Sequence, residues 1–225
     1  VTRAQMCKMI CVALNGGNNA NMGSNVGNTF ADVTTGYWGT PFIEYCVREK
    51  VAAGVGGGNF NPEGNVTGSQ AAKMLLVILG YDPAIQGYVG SNAWELNINS
   101  DAAKKGLYAG IESIDPSAPL SRDNAAQMIW NALQANEVWY TNSMILGPNG
   151  TMVPVAQDKV VGTTNDKISL LSDKYDANIA VGTFAGNGVN RSDLNDGEAR
   201  ITDAMINGRT VYDSNNQQTQ KAVTT

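Results

Sequence analysis

The sequence contains no histidine among its 225 residues. Histidine is the commonest general base and a frequent ligand of catalytic zinc, so its absence removes the Ser-His-Asp and Cys-His arrangements and most catalytic zinc sites. Charged residues make up only 16% of the chain, and the net charge is −5. A negative protein of low charge density is a poor partner for nucleic acid. The composition therefore favours a protein that is not an enzyme and binds no nucleic acid.

Long apolar runs are also missing. No stretch of about twenty apolar residues occurs, so no membrane insertion is predicted for this chain, and no basic-then-apolar leader opens it. Hydrophobic residues nevertheless amount to 43%, which is typical of a globular protein with a buried core.

Cysteine is scarce, with only Cys7, Cys11 and Cys46. Cys7 and Cys11 are four residues apart, on one face of a predicted helix, and all three lie among apolar residues. They are either small hydrophobic residues of the core or, if the two helices abut, one of them pairs with Cys46 in a disulfide. Their spacing fits no metal-ligand motif.

A repeated segment organises the first half of the chain. Val1–Leu14, Val66–Leu79 and Leu120–Leu133 align without a gap. Each copy begins with an aliphatic and a hydroxyl residue, and each has Met at its ninth and Leu at its fourteenth position. Such repetition predicts similar units that share one core, with the three Met residues facing it.

Each copy predicts a capped helix. Thr2 is a good N-cap, and Gln5 stands three residues later, the spacing of a capping box. Residues Thr67–Gln70 repeat this spacing, whereas Asn124 in the third copy predicts a weaker cap. A further helix precedes each of the last two copies. One runs from Pro41 to near Lys50, and the other starts at or just after Trp94, continues through Lys105 and is stopped by Gly106. The predicted unit is therefore helix, connector, capped helix.

The pattern changes after residue 136. We expect a hairpin of 138–145 with 152–155, a short helix at 167–174, and strands at 179–184, 201–206 and 209–212, the last two joined by Asn207-Gly208. The predicted fold is a mainly α N-terminal module, residues 1–136, followed by a smaller β-rich region, residues 137–225. The module divides into 1–15, the end of a first repeat, then 30–80 and 90–136. Because the chain begins inside a repeat, we expect a longer protein, with the β-rich region incomplete or continuing into a larger assembly domain.

The second unit resembles the S-layer homology (SLH) domain of bacterial cell-surface proteins. The resemblance rests on landmarks in order: Phe30-Ala31-Asp32-Val33, Trp38, Gly54, Phe60-Asn61-Pro62 and Val66-Thr67-Gly68-Ser69-Gln70. The last is similar to the family's Thr-Arg-Ala-Glu type motif, of which Val1–Gln5 is the best copy. The third unit lacks the Phe-x-Asp-Val and Phe-x-Pro landmarks, and its assignment depends on Trp94, the 106–110 stretch and Leu120-Ser121-Arg122.

This resemblance implies a helical bundle of three repeats with pseudo-threefold symmetry. It implies a secreted protein, anchored non-covalently to the bacterial cell wall through secondary cell-wall polysaccharide that usually carries pyruvate. Segment 169–175 is similar to segments that follow SLH modules in clostridial-type S-layer proteins, so copies of the chain itself in a surface lattice are expected partners. No cofactor is implied. Asp193-Leu194-Asn195-Asp196-Gly197 is like a calcium loop, but its Gly falls one place early for an EF-hand; calcium binding is left without a motif.

A pyruvylated polymer presents carboxylates, which call for a cation. Arg3 and Arg122 occupy matching positions at helix N-termini, where free N–H groups and the helix dipole also favour an anion. The alternative is that both are solvated first-turn residues. The second copy has Gly68 there, so we expect a weak groove unless Lys73 or a neighbouring unit compensates.

Five further residues complete the predicted polysaccharide-binding set. Trp38 and Trp94 either stack on a sugar face or close the core. Asp32 either contacts sugar hydroxyls or caps a local turn. Gln5 and Gln70 follow the candidate cation position in the motif.

Two other functions share these features. One is a wall-anchored extracellular enzyme or adhesin whose working domain lies outside the chain. The other is an outer-membrane tether whose SLH module binds peptidoglycan. The sequence downstream would distinguish them from a lattice protein.

Overall fold

The computed structural model describes residues 1–15, 29–90, 92–147, 150–161 and 166–177, together with the backbone of two short strands, 205–206 and 209–210. The chain divides into two compact units, Val1–Tyr175 and Asp176–Thr225. None of the helices in the described part is long and apolar enough to cross a membrane.

The predicted helical module followed by a small β region is confirmed. The described residues of this module form five helices: α1 (Arg3–Asn15), α2 (Thr40–Arg48), α3 (Gly68–Ile78), α4 (Trp94–Lys104) and α5 (Arg122–Gln134). Helix α2 packs on α1, α4 packs on α3, and α5 contacts both α1 and α3. The repeated segments thus form the three helices α1, α3 and α5, and each of the first two carries a partner helix.

The predicted caps are present at the three repeated helices. In α1 the Thr2 amide donates to Gln5 Oε1 (3.1 Å) and the Gln5 amide donates to Thr2 Oγ1 (3.3 Å). Thr67 and Gln70 form the same reciprocal box at α3. Helix α5 has only the one-sided bond to the Ser121 hydroxyl. The third cap is therefore weaker, as the Asn in place of Gln predicted.

A ring of backbone hydrogen bonds joins the first residues of the three copies. The Val66 amide donates to the Val1 carbonyl (3.0 Å), and the Leu120 amide donates to the Val66 carbonyl (2.8 Å). The Val1 amino group donates to the Leu120 carbonyl and closes the ring. The three capped helices therefore start side by side.

The core lies between these helices and their partners. Its largest fully buried side chains are Tyr88, Phe60, Met6, Ile10, Ile43, Leu75, Leu76, Leu79, Ile98, Leu107, Met128 and Leu170. Of the three repeated Met residues, Met74 and Met128 are buried as predicted, whereas Met9 is half-buried.

Residues 137–175 belong to the same compact unit as the helices. Strands β1 (Val138–Leu146) and β2 (Met152–Asp158) form the predicted antiparallel hairpin, with a register shift between Tyr140 and Met144. The Val138 amide donates to the Leu79 carbonyl at 2.7 Å, which ties the hairpin to the end of α3.

A short helix after the hairpin closes one end of the bundle. Helix α6 (Leu170–Tyr175) begins later than the predicted Lys167, because Lys167 pairs with Val160 where β3 (Val160–Val161) meets β4 (Asp166–Lys167). Leu170 lines a small apolar gap with side chains of α1, α3 and α5. The last turns of all three repeated helices are thus covered by one residue from outside the repeats.

In the second compact unit, β5 (Met205–Ile206) pairs antiparallel with β6 (Arg209–Thr210). Ile206 faces Arg209, which agrees with the predicted pairing of these strands; the predicted turn residues 207–208 lie outside the described residues. The predicted strand at 179–184 and the calcium-like segment 193–197 lie outside the described residues.

An ion pair fixes the hairpin to α4. Lys105 Nζ lies 2.6 Å from Asp158 Oδ1, and its side chain is only 10% exposed. Lys167 Nζ lies 2.8 Å from the other carboxylate oxygen. Burial alone would raise the pKa of Asp158, but the hydrogen bonds from the two lysines outweigh it and lower this pKa to about 2. The charged form of Asp158 therefore stabilises the fold.

Removing Lys105 should destabilise the hairpin's attachment. We expect Lys105→Met to lower the free energy of unfolding at pH 7 by about 1–3 kcal/mol, because it leaves a partly buried carboxylate short of a partner. The depressed pKa of Asp158 means that its contribution is complete above about pH 4, its unfolded value, and is lost as the pH falls towards 2. Urea unfolding at pH 7 and pH 3 should therefore show a smaller difference between variant and wild type at the lower pH.

Arg48→Met is the matched control. Arg48 pairs with Glu49, and both side chains are about half exposed, 53% and 49%; ion pairs in such surroundings contribute little. An equal loss in the free energy of unfolding for the two variants would contradict the role given to Lys105.

Gly68, at the start of α3, lies against the connector between α4 and α5, at Ile114 and Pro116. A Cβ at this position would meet Pro116 Cα at 2.9 Å and Ile114 Cδ1 at 3.3 Å. The neighbouring Ser69 amide donates to the Pro116 carbonyl at 2.8 Å, which fixes this approach. The position that holds Arg in the other two copies is therefore closed here.

Gly68→Arg restores the repeated motif but should destabilise the fold. We expect a loss of about 1–3 kcal/mol, because the connector backbone must move, and a lower midpoint in thermal unfolding. Gly36→Arg is the control, since no atom lies within 4 Å of a Cβ at Gly36. A neutral or stabilising Gly68→Arg would show that the connector yields easily.

Candidate functional site

Two grooves open beside the repeated helices. The first, the α1 groove, has a volume of about 600 Å³ and is lined by Gln5, Lys8, Met9, Val12, Trp38, Arg122 and Ala126. The second, the α3 groove, has a volume of about 300 Å³ and is lined by Arg3, residues 51–55, Val66, Gln70, Lys73, Met74, Tyr88 and Trp94.

The two grooves are built in the same way. Each takes a Gln, a Lys and a Met from one repeated helix, at the fifth, eighth and ninth positions of its copy. Each adds a Trp at the start of the next helix, since Trp38 lies two residues before α2 and Trp94 is the first residue of α4. Each also adds an Arg from the third position of another copy. The corresponding pairs are Gln5 and Gln70, Lys8 and Lys73, Met9 and Met74, Trp38 and Trp94, and Arg122 and Arg3.

Six of the seven predicted site residues therefore lie in the grooves, three in each. The sequence did not indicate that each Arg lies in the groove of a different copy from its own. Arg122 of α5 reaches the α1 groove, and Arg3 of α1 reaches the α3 groove. Lys73 thus shares its groove with an Arg from a neighbouring unit, although its own copy has Gly68.

The α1 groove has exposed cations beside an exposed indole. Trp38 is 47% exposed, and its ring is tilted against Phe42. Lys8 Nζ lies 5.9 Å from the centre of the Trp38 ring. Arg122 is exposed, and its guanidinium has no hydrogen bond or ion pair to any residue in the described ranges. The lining of this groove contains no carboxylate, so its charge is positive.

Arg3, in the α3 groove, is held by the protein itself. Its Nε donates to the Phe60 carbonyl (2.8 Å), and its Nη2 donates to the Ala53 carbonyl. The guanidinium carbon lies 4.3 Å from the centre of the Phe60 ring. Burial lowers the pKa of Arg3, against the opposing effect of nearby Asp32. Arg3 therefore holds the connector between α2 and α3 against α1. Only some of its guanidinium N–H groups remain available to a ligand.

The remaining groups of the α3 groove are also less accessible. Trp94 is half-buried, and burial lowers the pKa of the half-buried Lys73. The α3 groove is therefore smaller than the α1 groove, and its cations are less accessible.

Asp32 lies in neither lining. Its two carboxylate oxygens accept from the backbone amides of Phe60 (2.8 Å) and Asn61 (2.7 Å). Burial would raise the pKa of Asp32, but these hydrogen bonds and the charge of Arg3 lower it below its ordinary value. The geometry favours the turn-capping role over contact with sugar hydroxyls.

Lys8 is a groove residue that the sequence analysis missed, whereas Lys73 was considered only as a possible replacement for the Arg that the second copy lacks. Lys8 and Lys73 occupy the eighth position of the first two copies, where the third has Gln127. Comparison of the copies at every position, rather than at the capping motif alone, would have found Lys8.

The missing Phe-x-Pro landmark of the third unit also has a structural counterpart. The Ser69 amide donates to the Pro116 carbonyl at 2.8 Å, and the Ala4 amide donates to the Pro62 carbonyl at 3.0 Å. Ile114-Asp115-Pro116 therefore occupies the place that Phe60-Asn61-Pro62 has in the second unit.

The arrangement suits binding more than catalysis. A cation next to an indole can hold an anionic ligand that has a flat apolar face. Among the described residues, no group of three or more Cys, Asp or Glu is placed to hold a metal ion.

Part of the chain is similar to known proteins. The family model of the S-layer homology domain matches residues 29–72. The chain is similar to the "Middle cell wall protein" of Brevibacillus brevis, with 25% identity over 136 residues, which are 60% of this chain and 12% of that protein. It is also similar to the "Surface layer protein" of Brevibacillus choshinensis, with 25% identity over 134 residues, 60% of this chain and 11% of the relative.

The chain thus spans about an eighth of the length of these relatives. The matched segment contains Trp38, the Asp32 turn, the connector held by Arg3 and the start of α3. One relative is named a cell wall protein and the other a surface layer protein. Residues 29–72 therefore match the S-layer homology domain, and about 60% of the chain is similar to one cell-wall protein and one surface-layer protein.

Proposed function

We propose that residues 1–136 anchor the protein non-covalently to the bacterial cell wall by binding a pyruvylated secondary cell-wall polysaccharide, and that the α1 groove is the principal site. The observation that carries this proposal is the convergence of Lys8, Arg122 and Trp38 on one cavity of about 600 Å³. The S-layer homology domain supports binding to the cell wall. The groove chemistry supports a carboxylated sugar as the ligand.

A pyruvate ketal on a sugar has two features that the α1 groove can recognise. Its carboxylate can accept two parallel hydrogen bonds from the Arg122 guanidinium, with Lys8 as a second positive charge. The sugar ring has an apolar face that can stack on the exposed Trp38 indole. Gln5 lies in the same lining and offers an amide to sugar hydroxyls.

The α3 groove is a second, weaker site in this proposal. Its Arg3 already donates to two backbone carbonyls, so a ligand carboxylate would depend more on Lys73. Trp94 and Gln70 would have the roles of Trp38 and Gln5.

We further propose that the repeats are related by pseudo-threefold symmetry, which the hydrogen-bond ring between Val1, Val66 and Leu120 supports. At the third equivalent position, Gly68 lies against the connector at Pro116 and supplies no cation. The chain would then carry two unequal binding sites.

Lattice assembly through the region after residue 136 is the second part of the proposal. The tip of the β1–β2 hairpin leaves four apolar side chains about half exposed or more, Met144, Ile145, Leu146 and Met152. Apolar surface of this kind is typical of protein–protein contacts. One relative is named a surface layer protein, which is consistent with partners that are copies of the chain itself.

Arg122 should contribute directly to binding. We expect Arg122→Ala to weaken the affinity of the 225-residue chain for purified wall polysaccharide by about 10-fold to 100-fold, because a charge-assisted hydrogen bond is lost. Arg122→Lys should recover only part of this, since it keeps the charge but not the two parallel bonds. Binding is measured by calorimetry, with thermal unfolding as a check on the fold.

The controls separate binding from stability. Arg48→Ala removes an exposed Arg that lines neither groove, and should leave the affinity unchanged. Arg3→Ala should lower thermal stability as well as affinity, because Arg3 fixes the 53–60 connector. Unchanged affinity in an Arg3→Ala, Arg122→Ala double variant would exclude both grooves as the binding site.

The pyruvyl carboxylate itself should be required. Wild-type protein should be pulled down by wall polymer with its pyruvyl groups and not by polymer from which they have been removed, since both cations would lose their partner. Equal retention on the two polymers would reject the carboxylate mechanism and direct attention to the sugars or to peptidoglycan.

A further inference from the structure

The three cysteines meet where α1 packs on α2. Cys7 and Cys11 lie one turn apart on α1, and Cys46 lies in α2. Cys11 Sγ is 3.8 Å from Cys46 Sγ, and Cys46 Sγ is 3.8 Å from the Cys7 carbonyl. All three thiols are free and buried. Among the described residues, no cluster that could hold a metal ion includes these cysteines.

From this geometry we infer that Cys11 and Cys46 form a disulfide that cross-links α1 to α2 in the secreted protein. The two sulfurs are in contact without being bonded, and a disulfide needs about 2.05 Å. The remaining gap is under about 2 Å, which small rotations of two side chains on already packed helices can close. A secreted protein also matures where disulfides persist.

The step needs a disulfide oxidant, either a small-molecule disulfide or a thiol oxidoreductase. One cysteine thiolate attacks the oxidant, forms a mixed disulfide and releases one oxidant thiol. The second cysteine then attacks the protein sulfur of that mixed disulfide and releases the other. The two cysteines lose two electrons and two protons in total, and the oxidant disulfide becomes two thiols.

Burial decides when this exchange takes place. Contacts with Cys11 and Cys7, together with burial, raise the pKa of Cys46 well above its ordinary value. The nucleophile in exchange is the thiolate, so the packed thiols react slowly. We therefore expect the bond to form before α1 and α2 are fully packed, during folding after secretion.

The cross-link would also fix the α1 groove. Lys8 lies on α1, and Trp38 lies just before α2, so the bond joins the two elements that carry opposite sides of that groove. This consequence rests on the proposed function, whereas the disulfide itself does not.

The test is oxidative refolding of the 225-residue chain. Protein is unfolded in urea with reductant, refolded in a mixture of reduced and oxidised glutathione, and its thiols are counted after denaturation. We expect one free thiol per chain, the three cysteines minus the two in the bond, and a Cys11–Cys46 peptide in mass spectrometry. The oxidised form should unfold at a temperature about 5–10 °C higher than the reduced form.

Single variants identify the pair. Cys7→Ala should leave no free thiol and keep the gain in unfolding temperature. Cys46→Ala should keep both remaining thiols free and show no gain. Three free thiols after oxidative refolding, a Cys7–Cys46 peptide in place of the expected one, or equal thiol loss in Cys46→Ala would each overturn the assignment.

Discussion

The ring of backbone hydrogen bonds between Val1, Val66 and Leu120 is the constraint on which the rest of the structure depends. Each member is the first residue of a repeat, and the N-cap follows it directly. The ring therefore sets the starting point of α1, α3 and α5 together. Because these starts are adjacent, the third residue of one copy lies against the connector that precedes another, as Arg3 lies on Phe60.

This adjacency explains why the grooves are composite. An Arg at the third position projects from its own helix towards the neighbouring unit, and so lines the groove of that unit. Arg3 meets the connector carrying Ala53 and Phe60 and is held by it. Over Arg122 no such connector lies among the described residues. At Gly68 the connector has come so close that no side chain fits. The third position of the repeat is therefore different in each copy: Arg3 is held by a connector, Arg122 is exposed, and Gly68 is covered.

Much of the fold could be predicted from the sequence because its signals are local. The capping spacing of Thr2 with Gln5 and the helical periodicity lie within a few residues of each other. The site could be predicted only in part, because Arg122 and Lys8 are far apart in the chain and meet only through the ring. Leu170 is a similar case, since nothing in a short segment after a hairpin indicates that it covers the end of three helices. The predicted start of α6 at Lys167 was wrong because Lys167 pairs with Val160 in a strand.

Unequal grooves have a physical consequence for anchoring to a polymer. On the proposed function, once the α1 groove has bound one unit, the α3 groove would meet other units of the same polymer at the high effective concentration that tethering creates. A weak second site would then lengthen the attachment considerably without being tight by itself. Binding to the polymer could then be maintained even though Arg3 donates most of its hydrogen bonds to the connector. On the proposed function, selection for a stable bundle and for binding act on the same position of each copy, and the copies divide the two tasks between them.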